Sequence, residues 1–86
     1  MNQVYIIVDM QNDFIDGALG TAEAPAIIPR IEALLQAAKK DESNTTDFIF
    51  TQDTHTEDYL DTQEGRKLPI PHCIRDTKGW QICKAL

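Results

Sequence analysis

Basic residues are scarce in this sequence. Eight lysines and arginines stand against fourteen aspartates and glutamates, giving a net charge of −6 and a pI near 4.6. A nucleic-acid partner would need a basic face to replace phosphate counterions, so that class is excluded. Long apolar runs are missing too. No stretch approaches the roughly 20 residues of a membrane span, and the opening residues do not form the cationic, apolar pattern of a leader, so no membrane partner is expected. There are only two cysteines, Cys73 and Cys83, and they make neither a CxxC pair nor a disulfide framework. Reduced thiols and a cytoplasmic location are the simplest fit. No internal repeat, low-complexity tract or domain linker divides residues 1–86.

What is present is globular in composition: 42% hydrophobic and 26% charged residues. At 86 residues the chain is shorter than the usual domain of about 100–150, though such lengths can fold. Val4-Tyr5-Ile6-Ile7-Val8 is a β-branched and aromatic run that predicts a strand, ending at Asp9 and a polar break over Met10 to Phe14. Residues 15–25, with Gly17, Gly20 and Pro25, read as loop. Ile27, Ile28, Ile31, Leu34, Leu35 and Ala38 then recur at three- and four-residue steps, which predicts a helix. Pro29 suits a first turn, so the predicted start lies near Ala26, and Lys39-Lys40 suit the carboxyl end of the helix dipole. Phe48-Ile49-Phe50 reads as a second strand, buried on both faces.

Strand, helix, strand is a βαβ unit, which makes the strands parallel with a right-handed crossover. Parallel strands end on the same edge, so Asp9 and Asp53 are predicted to emerge together where open α/β sheets bind ligands. In extended chain Asp53 and His55 point to one side, with Cα atoms roughly 7 Å apart, while Thr54 points away. Thr56 to Lys67 is polar and charged, and Leu68-Pro69-Ile70-Pro71 should be stiff and extended, delivering His72-Cys73. Asp76 or Thr77 is placed to cap a last helix with Trp80, Cys83 and Leu86 on one stripe.

One carboxylate and two imidazoles, Asp53, His55 and His72, match the donor set of a divalent ion such as zinc, iron or manganese, and Glu64 could add a further oxygen. The same residue types are ordinary in surface turns, and His72 also reads as a loop histidine beside a buried cysteine. The residues alone leave both readings open. Asp9, at the end of a buried strand, reads either as a base with raised proton affinity or as a cap for the turn through Asn12 and Asp13. Phe14 is either an apolar wall over a flat substrate or core, and Cys73 and Cys83 read as buried structural thiols.

Val-Asp-Met-Gln-Asn-Asp-Phe at 8–14, Thr-Gln-Asp-Thr-His at 51–55 and Pro-His-Cys at 71–73 resemble the amino-terminal half of the isochorismatase-like cysteine hydrolases, closest to the nicotinamidase/pyrazinamidase branch. Ile-Ile-Pro-Arg-Ile at 27–31 and Thr-Lys-Gly-Trp at 77–80 fit the same pattern. The resemblance implies a three-layer α/β/α Rossmann-like parallel sheet, of which residues 1–86 form the first part of one domain. It maps Asp9 to the catalytic aspartate, Asp53, His55 and His72 to ligands of a divalent metal, Zn2+ first with Fe2+ or Mn2+ as alternatives, and Phe14 to the substrate pocket. Glu64 falls where some members supply another ligand. Leu68 departs from the pocket tryptophan of many nicotinamidases.

The implied activity is amide hydrolysis of a small molecule, nicotinamide to nicotinic acid plus ammonia, through a thioester on a cysteine. The lysine and cysteine of the family triad have no counterparts here, because neither Lys84 nor Cys83 lies in the matching context. The 86-residue chain is therefore expected to be inactive alone, and the complete protein to be a homo-oligomer. Three alternatives stand beside this expectation. One is a relative acting on another substrate such as a vinyl ether or carbamate, and another is a metal-binding fragment without catalysis. The third is a receiver-like signalling domain built on Asp9, Asp13 and Asp53, which would need a third parallel strand and a later strand-end lysine.

Overall fold

The computed structural model describes residues 1–86. Two strands, β1 (Asn2–Ile7) and β2 (Thr45–Phe50), flank a short helix α1 (Asn12–Ile15) and a long helix α2 (Ala24–Lys40). A 3₁₀ turn at Tyr59–Asp61 and helix α3 (Gln63–Lys67) follow. The strands pair in parallel, from Asn2 opposite Thr45 to Ile7 opposite Phe50, with α2 in the crossover. This is the predicted βαβ unit and the opening part of an α/β fold.

Alternation sorts the two sheet faces. Tyr5 and Phe48 face one way with rings stacked 6.0 Å apart, and the Lys39 ammonium lies over the Phe48 ring, which places α2 on that face. Ile7 and Leu35 are buried there. The other face carries Val4, Ile6, Val8 and Ile49, all at least half exposed. Burial of Phe48-Ile49-Phe50 on both faces is therefore corrected. Ile49 is 50% exposed, and the two phenylalanines are half-buried, because a single helix covers a single face.

Two further expectations change. Helix α2 starts at Ala24 rather than near Ala26. Thr21 Oγ1 accepts the Ala24 N–H at 3.1 Å and Pro25 occupies the first turn, so Pro29 lies inside the helix. The cost is one backbone bond, since Pro29 has no N–H to offer the Pro25 carbonyl. At the other end of α2, Asp41 accepts hydrogen bonds from the Ser43 hydroxyl, Asn44 and the Ser43 N–H. These hold its carboxyl below the usual range.

The second change is at the chain's end, where no helix carries Trp80, Cys83 and Leu86. Those residues instead pair with the loop after β1: Asn12 N–H donates to the Gln81 carbonyl at 3.0 Å and Cys83 N–H to the Met10 carbonyl at 2.8 Å. Gly79 packs against the Asp13 carboxylate with no room for a Cβ, and Asp13 N–H donates to its carbonyl. Long-range backbone pairing outweighs a weak local helix signal here. No helix is long and apolar enough to cross a membrane.

Candidate metal centre

Parallel pairing brings both strand ends to one edge, and hydrogen bonds continue it outward. Thr51 N–H donates to the Ile7 carbonyl at 2.9 Å. Two residues past the strand register, Asp9 takes a left-handed backbone (φ 53°), which an aspartate tolerates better than most residues. Its N–H donates to Thr51 Oγ1 at 3.0 Å, and the Thr51 hydroxyl donates back to Asp9 Oδ1 at 2.8 Å. The Asp9 carboxylate is thus tied to the tip of β2, two residues before Asp53.

Asp53 and His55 lie on one side of the extended segment, with Asp53 Oδ2 3.0 Å from His55 Nε2. Thr54 points the other way and accepts the Trp80 indole N–H at 2.8 Å. His72 arrives by backbone pairing rather than by loop stiffness alone. His55 N–H donates to the Cys73 carbonyl and Arg75 N–H to the His55 carbonyl, a short parallel bridge between the two segments. His72 Nε2 then stands 3.4 Å from Asp53 Oδ2. Its Nδ1 lies 2.7 Å from the Ile70 carbonyl, which fixes Nδ1 as the protonated nitrogen and leaves Nε2 free to accept.

The donor atoms of Asp53, His55 and His72 all lie within 4.8 Å of one another. Bonds of about 2.0–2.2 Å to a tetrahedral ion put neighbouring donors roughly 3.3–3.6 Å apart. The 3.4 Å separation of His72 and Asp53 already has that length, the 3.0 Å contact of His55 and Asp53 needs a slight opening, and the two imidazoles, within 4.8 Å of each other, are the pair an ion would draw together. The residues therefore fit a zinc-type ion. Glu64 stands apart from this trio: one oxygen lies 3.4 Å from His55 Nε2, but its side chain is 59% exposed.

Beneath the imidazoles lies Tyr59, 1% exposed, its ring centroid 4.7 Å from that of His55 and 5.1 Å from that of His72. Its hydroxyl donates to the Leu68 carbonyl, and burial, then Glu64 and Asp53, push its pKa up. Phe14 is half-buried with its ring 5.6 Å from the His72 ring, so it borders the site. The Cys73 thiol is buried, and its pKa is pushed up to about 12, by burial first and then by Asp53, Asp13 and Asp9. A hollow of about 360 Å³ lies outside this cluster among Asn12, Asp13, Asp16, Gly17, Lys78 and Gly79, and no hydrophobic residue lines it. Tyr59, Thr51 and Gln11 also belong to the site: Gln11 and Thr51 fall inside the motifs at 8–14 and 51–55 without a role assigned from sequence, and Tyr59 is a lone tyrosine in a charged stretch outside every motif.

The sequence model of the isochorismatase domain matches residues 3–86. The chain belongs to the isochorismatase family. Among solved structures, it is 32% identical to the zinc-bound pyrazinamidase of Pyrococcus horikoshii, over 94% of this chain and 44% of that one, with a TM-score of 0.73. It is 26% identical to the yeast nicotinamidase bound to the inhibitor nicotinaldehyde, over 99% of this chain and 50% of that one, also at 0.73. An isochorismatase-like hydrolase from Alkaliphilus metalliredigens is 21% identical over 99% of this chain and 45% of that one, and its TM-score of 0.79 shows a shared fold. This isochorismatase-family chain spans about half the length of these structures. No curated protein matches it in sequence. Family membership sets aside the receiver alternative, and the nicotinamidase-like neighbours agree with the branch expected from the motifs.

Proposed function

We propose that this chain carries the general base and the metal site of a metal-assisted cysteine amidohydrolase that converts nicotinamide to nicotinic acid and ammonia. The observation that carries the reading is the shared edge: Asp9 is tied through Thr51 to the strand whose tip holds Asp53, beside His55 and His72. Similarity to a zinc-bound pyrazinamidase and to a nicotinamidase supports the substrate class.

In this reading Asp9 takes the proton of a cysteine thiol as the sulfur attacks the amide carbonyl carbon. It then delivers that proton to the nitrogen as the C–N bond breaks and ammonia leaves. Water cleaves the resulting thioester, with Asp9 again moving the proton. The thiol and its lysine partner would be supplied by the remainder of the full-length protein: Cys73 is buried with its thiol held neutral, and neither Cys83 nor Lys84 lies in the family's motif context. Asp53, His55 and His72 would hold a zinc-type ion, and Glu64, with one oxygen 3.4 Å from His55 Nε2, would add a further oxygen. Such an ion supplies Lewis-acid orientation of the ring or of a water. Phe14 would form one wall for the flat ring. Two free thiols support a cytoplasmic location, and a homo-oligomer of the complete protein remains part of the proposal.

The test is ammonia release from nicotinamide by the full-length gene product, before and after complete removal of metal. Loss of activity on chelation and its return with Zn2+ is the expected result. Activity that survives complete removal sinks the metal's role. Failure on nicotinamide with turnover of a carbamate or vinyl ether moves the protein to another substrate within the family.

A further inference from the structure

We propose that Gln11 and Asp13 are positioning residues that hold the two ligand-bearing segments of the metal centre at a fixed separation. The inference rests on reading Asp53, His55 and His72 as ligands. Gln11 is 0% exposed, a rare state for a glutamine. Its Nε2 donates to the Asp53 carbonyl at 2.9 Å and to the Trp80 carbonyl at 2.6 Å, and its Oε1 accepts the Asp53 N–H at 2.8 Å. Both N–H donors and the oxygen of the carboxamide are therefore used, and both backbone polar groups of Asp53 are tied to one side chain. The carboxamide replaces the neighbouring strand that Asp53 lacks.

Asp13, two residues on, does the same for the other segment. Its Oδ2 accepts the Cys73 N–H at 2.7 Å, and its Oδ1 accepts the Ala18 N–H at 3.3 Å. Cys73 follows His72 directly and has a left-handed backbone (φ 50°), a conformation that needs holding in a non-glycine residue. The turn after β1 thus grips residue 53 through Gln11, and the first turn of α1 grips residue 73 through Asp13. An apolar residue of the same size would spare the desolvation of the amide but leave the Asp53 N–H and the Asp53 and Trp80 carbonyls without these partners. What the amide adds is direction. The same loop starts from Asp9, so base and ligands share one anchor.

Three variants of the full-length gene product test this, with Leu35→Ala as a control that loosens the buried α2 contact far from the site. Zinc affinity is read by competition with a chromophoric chelator. Gln11→Met and Asp13→Leu should each weaken zinc binding by about 10–100-fold, the range for residues that orient ligands. Asp13→Asn keeps an acceptor oxygen for the Cys73 N–H and should stay near wild type, as should Leu35→Ala at temperatures where it is folded. Where Gln11→Met does not fold, Gln11→Glu keeps the acceptor, loses both donors, and should show the same loss.

Equal weakening by Leu35→Ala, or wild-type affinity in both Gln11→Met and Asp13→Leu, overturns the proposal. Amide hydrogen exchange in the metal-free protein separates it from the functional reading. Exchange at Asp53 should accelerate in Gln11→Met alone, and exchange at Cys73 in Asp13→Leu alone. Wild type that takes up no zinc defeats the metal reading, whereas unchanged exchange in both variants defeats the positioning.

Discussion

At the scale of single residues, Cys73 shows how the centre's surroundings differ from its chemistry. It directly follows His72 in sequence, yet its thiol is fully buried and its pKa is pushed up from 9.0 to about 12. In the metal-free protein at pH 8, iodoacetamide should therefore label the half-buried Cys83 much faster than Cys73, which peptide mass mapping would show. Equal labelling of the native protein contradicts this burial. The sign of the pH effect follows from the same shift. Below about pH 9 both folded and unfolded chains keep the thiol proton; between about 9 and 12 only the unfolded chain loses it, so this residue's contribution to stability falls as pH rises. The proximity of Asp53 and His55 was legible in the sequence because a period of two puts them on one side whatever surrounds them, and His72 was expected beside them from the stiff segment at 68–71. Gln11 and Tyr59 were not legible. Their roles depend on partners 42 residues away for Gln11 and on two rings brought together by tertiary folding for Tyr59.

Elements were legible where one strong pattern ran for several turns or alternations. Strand β1 and helix α2 came through within two residues at each end, since a β-branched run and a three- and four-residue apolar period each specify one backbone even where part of the apolar face stays exposed. The 3₁₀ turn and α3 lie in a charged stretch with no periodic signal, and they form around side chains instead. Thr62 Oγ1 caps α3 by accepting the Gly65 N–H at 3.0 Å. Gly65 is buried, and a Cβ there would collide with the Tyr59 carbonyl and the Leu60 backbone. In an exposed helix Ala is better than Gly by about 1 kcal/mol. Here the close approach reverses that order, and Gly65→Ala should destabilise by about 1–3 kcal/mol, the usual penalty of overpacking. A urea midpoint at or above wild type would show that α3 can move away without cost. The expected final helix failed for the opposite reason. Its stripe of Trp80, Cys83 and Leu86 was real, but the backbone there is committed to the loop after β1.

Across the whole molecule, shape and surface carry the signature of a half-covered sheet. The radius of gyration is 15.3 Å, with extents of 49 × 25 × 20 Å, against about 12 Å for a compact chain of this length. Helix α2 accounts for one side of that length, and nothing packs opposite it. Parallel strands are normally buried on both faces, yet Val4, Ile6 and Val8 are 55%, 60% and 63% exposed beside Ile49. A contiguous aliphatic patch of this kind favours association or dye binding, and a net charge of −6 opposes the first far more than the second. The 86-residue chain should therefore bind the apolar dye ANS in its folded state. Val4→Thr with Ile6→Thr should remove most of that fluorescence while moving the urea midpoint little, because the replaced methyl groups already face water. Dye binding that survives the pair would mean the exposed surface lies elsewhere, at the α2 face or the site edge. A large fall in stability would mean that these side chains are covered in solution, so that the open face of the β1–β2 sheet is not open at all.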